Sequence, residues 1–321
     1  MIPKTQYETG LVSHGLSDLS PKDKPWDIHG LERDVVGNTY LSIGYTSHAE
    51  RILNCSQFLE FAVGLSDQQS VTLKLHSARF CRVRYCPVCQ WRRSLKWRAR
   101  FFEALPKLFE DHPTIKFIFL TLTVKNCFLD ELSLMVKDMN KAWGKLIKRK
   151  QFPALGFIKS IEVTKSKDLT AHPHFHCLLA VPYDYFTGSR LYLPQSLWQE
   201  LWRKSLKVDY IPIVNVKKVK PKVGQEERLG LMIALCETLK YSVKVNDLID
   251  DSEWLVGLTE QMHGLRSVSV GGIFKSYLSD FGRETDSEDL IHIKSEVNLE
   301  DEQLAKFYFS WNYFLKRYIE V

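Results

Sequence analysis

The stretch "ALGFIKSIEVTKSKDLTAHPHFHCLLAVP" spans residues 154–182 and predicts two strands joined by a hairpin loop. Residues 154–164 and 172–182 are rich in β-branched and aromatic side chains, which favour strands. The segment "TKSKDLTA" between them supplies turn-forming residues, and Pro182 ends the second strand. Because a short loop joins strands as antiparallel neighbours, this stretch predicts an antiparallel sheet at the centre of the fold.

Strand and helix patterns on both sides extend this sheet into a larger fold. Further strands are predicted at 114–124, 211–219 and 266–275. The apolar spacing predicts helices over 94–111, 129–150, 193–207 and 225–245. Strands mixed with helices in this order predict the α+β class, with helices packed on an antiparallel sheet.

Composition and charge limit the classes of protein that the chain can belong to. The 321 residues are 45% hydrophobic, and the longest apolar runs, such as 117–124, are too short to span a bilayer. The first residues lack a signal-peptide pattern, so we expect a cytoplasmic protein without membrane partners. Residues 79–100 carry seven Arg and one Lys without any acid, which favours phosphate contacts.

The histidine strand is the first candidate site. His174 and His176 lie two residues apart, so on a strand both side chains point to one face. Glu162 on the neighbouring strand is the obvious third ligand, and such a set leaves positions open for water or phosphate oxygens. His172 precedes Pro173 and ranks behind the other two. The alternative is that these histidines are structural and satisfied by hydrogen bonds.

A tyrosine on the predicted helix 225–245 is the second candidate. Glu237, Tyr241 and Lys244 share one helix face, and Lys240 borders it. Lysines favour the phenolate and hold a phosphate, while Glu237 can take or return a proton. Taken alone the pattern is weak, because a tyrosine on an amphipathic helix is usually a packing residue.

A cysteine cluster is the third candidate. Cys81, Cys86 and Cys89 lie within nine positions, which in a reducing compartment indicates a metal site before disulfides. Structural zinc needs four ligands, and Cys55 is the first choice for the fourth, with His76 as the alternative. The alternative to a metal site is that these residues are free cysteines in a loop. The basic residues proposed to contact DNA are Arg82, Arg84, Arg92, Arg93, Lys96 and, beside the tyrosine, Lys240.

Three motifs together resemble a known family. "FLTLTV" (119–124), "HPHFHCLL" (172–179) and "ETLKYSVK" (237–244) stand in the order of the motifs of rolling-circle plasmid replication initiators. These initiators belong to the HUH endonuclease superfamily. The chain is most similar to the plasmid family with one catalytic tyrosine and an upstream segment rich in cysteine and arginine. The resemblance covers residues 51–275.

The resemblance implies a mechanism and a set of roles. Thr121 and Thr123 would support the sheet, and His174 and His176 would bind Mg²⁺ or Mn²⁺. Tyr241 would attack origin DNA and give a 5′-phosphotyrosine and a 3′-OH primer. Glu237 would activate water or assist a second strand transfer at termination. Glu162 as a metal ligand rests on analogy with an acidic residue on the neighbouring strand of the superfamily.

Composition and periodicity predict the two ends of the chain, and the resemblance implies its middle parts and its partners. Four parts are expected: a flexible arm (1–50), a zinc- and DNA-binding module (51–112), an HUH-type nicking domain (113–275), and an acidic linker with a C-terminal helix (276–321). The expected partners are single-stranded and supercoiled plasmid origin DNA and the host helicase and DNA polymerase. "GGIFK" lacks the phosphate-loop pattern, so no nucleotide cofactor is expected.

Two alternative functions stay open at this point. The first is an HUH transposase with the same chemistry. The second is a zinc-containing DNA-binding repressor without catalysis, in which the histidine strand and Tyr241 would be structural. A relaxase is disfavoured, because in relaxases the nucleophilic tyrosine precedes the histidines.

Overall fold

The computed structural model describes residues 14–65, 71–187, 191–238, 248–249, 251–278, 290 and 305–321. The predicted α+β class is confirmed, with two antiparallel sheets and helices packed against them. Within these ranges, no helix combines the length and apolar character that a bilayer crossing requires.

The central sheet contains the strands that the sequence predicts. Its five strands have the order β6-β3-β5-β4-β7, and every neighbouring pair is antiparallel. The strands are β3 (Lys116–Thr123), β4 (Gly156–Lys165), β5 (Ala171–Val181), β6 (Val214–Lys218) and β7 (Val268–Gly272). In the hairpin β4–β5, Glu162 lies directly opposite His174, which sets both side chains on one face.

Helices cover both faces of this sheet. Helices α5 (Leu132–Leu146) and α6 (Gln195–Leu206) contribute to one apolar core together with Leu120 and Phe175 of the sheet. Helices α4 (Pro87–Asp111) and α7 (Glu227–Thr238) contribute to a second core on the other face, together with Phe117 and Leu178. Because side chains alternate along β5, this second face also carries His174 and His176.

A second sheet joins the two ends of the described chain. Its order is β2-β1-β8-β9, formed by β1 (Phe58–Leu65), β2 (Val71–Ala78), β8 (Lys306–Asn312) and β9 (Arg317–Glu320). Its inner face packs on helix α2 (Pro25–Ser42). Trp26 of α2 contacts Phe61 and Tyr318 edge-on, with ring centroids 6.3 and 6.2 Å apart. The sheet therefore has a packed inner face and a separate outer face.

The N-terminal residues differ from the expected flexible arm. Residues 14–53 contain α1 (Leu16–Leu19), α2 and α3 (Thr46–Leu53), and Trp26 and Tyr40 are buried. Arg33 is fully buried, where its guanidinium donates to the Cys55 carbonyl at 2.8 Å and to Asp34. The helices of this segment were not predicted from sequence, because their buried side is partly made of hydrogen-bonded polar groups and lacks a continuous apolar stripe.

The expected C-terminal helix is wrong for the part that the structure describes. Residues 306–320 form the hairpin β8–β9. "KFYFSWN" alternates inward and outward side chains, with Phe309 and Trp311 buried and Tyr308 exposed. This period of two is the signal of a strand. Two further helices among the described residues are α8 (Ser252–Gln261) and α9 (Phe274–Tyr277).

A buried lysine on β4 gives a prediction about pH and stability. Lys159 is 5% exposed, and its Nζ donates to Asn140 Oδ1 at 2.6 Å and lies 3.7 Å from the Phe175 ring centroid. Burial lowers its pKa from 10.5 to about 8. The unfolded chain therefore binds more protons between these values, and the free energy of unfolding should rise by about 3 kcal/mol from this group as pH increases through this window.

Urea unfolding of the wild type and of Lys159→Met at pH 8 and pH 10 measures this contribution. The methionine variant keeps the apolar stem and removes the titrating amine, so the increase from pH 8 to pH 10 should be smaller in the variant by about 2 kcal/mol. Equal increases in both proteins would show that Lys159 keeps its ordinary pKa in the fold.

Candidate functional site

The histidine strand and its neighbour bring three potential metal ligands together. His176 Nε2 lies 2.8 Å from Glu162 Oε2, and His174 Nε2 lies 3.4 Å from the same oxygen. One ligand atom from each of the three residues lies within 4.8 Å of the others. His174 is 9% exposed, while Glu162 and His176 are half-buried, so the group is open on one side.

The ring nitrogens that face away from Glu162 have partners of their own. His174 Nδ1 lies 3.1 Å from the His172 carbonyl oxygen, and His176 Nδ1 lies 3.4 Å from Thr121 Oγ1. The carbonyl accepts from the Nδ1–H of His174, so that Nε2 can offer its lone pair when a metal ion replaces its hydrogen bond to Glu162. This is the arrangement that metal-ligating histidines usually have.

The electrostatics of the group suit a cation. Hydrogen bonds from His174 and His176 lower the pKa of Glu162 to about 2, despite partial burial. The carboxylate is therefore ionised at neutral pH, as a metal ligand must be. Two imidazoles and one carboxylate on one sheet face fit a divalent ion with open coordination positions.

Side chains of the first motif (119–124), on strand β3, lie beside this group. Thr121 pairs with His176 and Thr123 with His174 across strands β3 and β5. The Phe119 ring is stacked on the His176 ring, with centroids 5.4 Å apart and planes 16° apart. Sequence reasoning named the two threonines and missed Phe119, although its spacing of two from Thr121 already placed it on the same face.

His172 has a hydrogen-bond partner outside the Glu162–His174–His176 group. Its Nδ1 lies 2.8 Å from Asn126 Oδ1, in the loop that follows β3. Its ring also packs against the His174 ring, with centroids 5.3 Å apart.

The tyrosine cluster lies at the limit of what the structure describes. Tyr241, Lys244 and Lys240 fall outside the described residues, and of Glu237 only the helical backbone is described. Helix α7, which leads to them, packs through Leu235 and Cys236 into the core on the histidine-bearing face of the sheet. The last described residues of α7 therefore lie on the face of the sheet that carries the histidines.

The four cysteines that the sequence singled out form one cluster. Sγ of Cys89 lies 3.6 Å from Sγ of Cys55 and 3.7 Å from Sγ of Cys81. With Cys86 the four sulfur atoms lie within 4.8 Å of one another. Backbone amides of Cys81 and Arg82 donate to the sulfurs of Cys55 and Cys89, at 3.4 and 3.3 Å.

The competing ligand, His76, lies elsewhere. It sits on β2, with Nε2 3.8 Å from Glu60 Oε1 and 3.3 Å from Lys306 Nζ. The structure therefore groups Cys55, and not His76, with the other cysteines. Hydrogen bonds from neighbouring thiols hold the pKa of Cys89 well below its usual range, so a thiolate forms readily within a set of four sulfurs.

The predicted DNA-contacting side chains fall into different environments. Arg84 is committed to the fold, because its guanidinium donates to the carbonyls of Met262 and Leu265 and to Ser267. Arg92 and Lys96 are 7% and 2% exposed, and Arg92 Nε donates to the Leu290 carbonyl. Burial and existing bonds contradict the prediction that these three present their charge to DNA.

Arg82 and Arg93 remain half-buried beside the cysteine cluster. Arg93 Nη2 donates to the Arg82 carbonyl at 3.0 Å, and Arg82 has a backbone φ of 59°. Arg82 lies on the loop before α4 and Arg93 in the second turn of α4, and both stay candidates for phosphate contacts.

Comparison with known proteins identifies the family. The Rep_1 family model, described as "Replication protein", matches residues 72–319, which include the ligand group and three of the four cysteines. The chain belongs to this family of replication proteins. No solved structure matches it.

Curated relatives match the replication protein over nearly its whole length. A "Protein rep" of Lentilactobacillus hilgardii is 33% identical over 313 residues, covering 94% of this chain and 98% of the relative. A "Protein rep" of Lactiplantibacillus plantarum is 34% identical over 314 residues, covering 92% and 96%. A third, from Streptococcus pneumoniae serotype 2 (strain D39 / NCTC 7466), is 32% identical over 307 residues, covering 92% and 93%. The family match at residues 72–319 includes strand β8 and nearly all of β9 of the second sheet.

Proposed function

We propose that this replication protein initiates rolling-circle replication of a plasmid by nicking and rejoining its origin DNA. The observation that carries the proposal is the Glu162–His174–His176 group, which lies open on the sheet face that α7 covers. Family membership supports the role in replication, and the three motifs resemble those of HUH initiators in residue type and order.

The proposed reaction uses groups of this chain at a phosphodiester. A divalent ion, Mg²⁺ or Mn²⁺, held by Glu162, His174 and His176 would polarise the scissile phosphate and offset its charge. The Tyr241 phenolate oxygen attacks phosphorus, the bond from phosphorus to the 3′ oxygen breaks, and that oxygen takes up a proton. The product is a 5′-phosphotyrosine and a free 3′-OH, and attack by a 3′-OH reverses the step.

The neighbouring charged residues have supporting roles in this proposal. Lys244 and Lys240 stabilise the phenolate and the phosphate, and Glu237 accepts the proton or activates the water that ends the cycle. Residues 113–275 form the nicking domain. The 3′-OH would then serve host helicase and polymerase as the start of strand synthesis.

The cysteine cluster is proposed to hold a structural zinc ion. Four sulfurs on the end of α3, the loop 79–86 and the start of α4 fit the closed tetrahedral set of such sites. Arg82 on this loop and Arg93 in α4 would contact the backbone of the origin DNA.

An SDS-resistant protein–DNA adduct is the expected product of this chemistry. Purified protein is incubated with labelled single-stranded oligonucleotides tiled from its own replicon, with and without Mn²⁺ or Mg²⁺. We expect one tile to give a metal-dependent adduct, and proteolysis with mass spectrometry to map it to Tyr241. Tight DNA binding without an adduct on any tile would contradict nicking and favour a non-catalytic repressor.

A further inference from the structure

The outer face of the second sheet carries exposed aromatic side chains. Phe58 lies opposite Ser310, and Glu60 lies opposite Tyr308, so Phe58 and Tyr308 are diagonal neighbours on one face. Their exposed fractions are 69% and 49%. We call this surface, defined by Phe58, Glu60, Lys306 and Tyr308, the outer face.

A concave site lies between these aromatic rings. A cavity of about 390 Å³ is lined by residues that include Phe58, Glu60, Arg79 and Tyr308. This volume falls within the range of ~300–1,000 Å³ that is usual for small-ligand sites. A second cavity shares Arg79 and Asn54 with the first and reaches Cys81. The outer face is thus continuous with the cysteine cluster.

The charge of the outer face does not oppose a nucleic acid. The carboxylate of Glu60 lies 2.7 Å from Lys306 Nζ and 3.8 Å from His76 Nε2, so its charge is compensated. Arg79, at the edge of the cavity, is exposed. A guanidinium beside two aromatic rings suits a phosphate whose base is stacked on a ring.

The tip of the β8–β9 hairpin extends this aromatic surface. Phe314 is 96% exposed and Tyr313 is 55% exposed. The turn is held in shape by Asn312, whose Oδ1 accepts from the backbone amides of Phe314 and Leu315. Gln57, next to Phe58, donates to the Tyr313 hydroxyl at 2.6 Å. The tip and the outer face are therefore connected.

We propose that the outer face binds unpaired bases of single-stranded DNA, with Phe58 and Tyr308 stacking on bases and Arg79 contacting a phosphate. Every base offers a π-face, so stacking on exposed aromatic rings tolerates any sequence. In a duplex those faces are already stacked on neighbouring bases, which favours the single strand. The inference rests on the proposed function only in taking DNA as the ligand.

Fluorescence anisotropy tests this site without the nicking reaction. The probe is a labelled oligothymidylate, in buffer without added Mg²⁺ or Mn²⁺, with a labelled duplex as a second ligand. Phe58→Ala with Tyr308→Ala should weaken single-strand binding about 10- to 100-fold. Duplex binding and the melting temperature should be unchanged.

The matched control changes two other exposed aromatics. Tyr183 and Tyr192 are 54% and 52% exposed, and Tyr183 follows the end of β5 that is opposite to the histidines. Tyr183→Ala with Tyr192→Ala should bind the oligothymidylate as the wild type does. Equal losses in both double variants would indicate a non-specific effect and overturn the assignment.

A photocrosslink gives an independent readout. With iodouracil in the oligonucleotide, irradiation should join it to a peptide that contains Phe58 or Tyr308. The outer-face assignment would be overturned if the Phe58 and Tyr308 double variant bound single strands as tightly as the wild type and the crosslinks mapped to other peptides. The proposed nicking would not be affected by that result. Failure of the metal-dependent adduct with normal oligothymidylate binding would contradict nicking alone.

Discussion

Replacing His176 by alanine is expected to reduce the rate of metal-dependent adduct formation about a thousandfold, or about 4 kcal/mol in the activation barrier. Its Nε2 lies 2.8 Å from Glu162 Oε2, and its ring packs edge-on against the His174 ring, so the substitution removes one of the three grouped ligand atoms. The expected loss reflects a weaker hold on the ion that polarises the phosphate. Adduct formation under single-turnover conditions, over a range of Mn²⁺ concentrations, measures it.

His172→Ala is the matched control for this change. His172 lies on the same strand but contacts Asn126, and the carbonyl that it offers to His174 belongs to the backbone and survives the substitution. We expect its rate to stay within about tenfold of the wild type, as for outer groups around a metal site. Calorimetry with Mn²⁺ should show binding to the His172 variant and weakened binding to the His176 variant. A His176 variant with wild-type rate and affinity would rule out the proposed ligand set.

Replacing Cys89 by alanine is expected to remove bound zinc and to lower the melting temperature by about 10 °C or more. Cys89 is fully buried, and its sulfur lies near the sulfurs of Cys55 and Cys81. A structural zinc ion contributes its binding free energy directly to folding, so three ligands in place of four release most of that contribution. Elemental analysis of the purified protein and thermal unfolding give the two readouts.

Cys127→Ala separates the loss of a ligand from the loss of a buried thiol. Cys127 is 5% exposed and lies outside the cluster, in the loop after β3. The Cys127→Ala variant should keep one zinc per chain, and its free energy of unfolding should fall by about 1 kcal/mol, as for small truncations in a core. Retention of zinc by Cys89→Ala, with a melting temperature like that of Cys127→Ala, would show that the cluster is not a metal site.

The Glu162–His174–His176 group could be predicted from sequence because its residues lie close together in the chain, within one hairpin. The alternation of side chains along a strand places His174 and His176 on one face, and a short hairpin brings Glu162 opposite His174. The cysteine cluster was partly accessible for the same reason, since Cys81, Cys86 and Cys89 are close in sequence. The sequence alone left Cys55 and His76 open as the fourth ligand, because the distance of Cys55 from the other cysteines depends on how α3 packs against the start of α4.

The second sheet was not accessible from sequence. Strand β1 pairs with β8 near the other end of the chain, and no local pattern specifies a partner so distant. Burial of Arg92 and Lys96 was missed for a related reason. Charge in a sequence favours exposure, and only the packed structure shows which basic side chains lie beneath other elements.

The pairing of β1 with β8 fixes the order of events during synthesis. A ribosome delivers residues 58–65 long before residues 306–312, so β1 emerges with one side of its hydrogen-bonding ladder unfilled. Until the last strands arrive, the inner face around Trp26 lacks Phe309 and Tyr318. A polypeptide interrupted before β8 would thus expose apolar surface and a strand edge to proteases and chaperones. The inner face of the second sheet is therefore covered only after residues 306–320 have been synthesised.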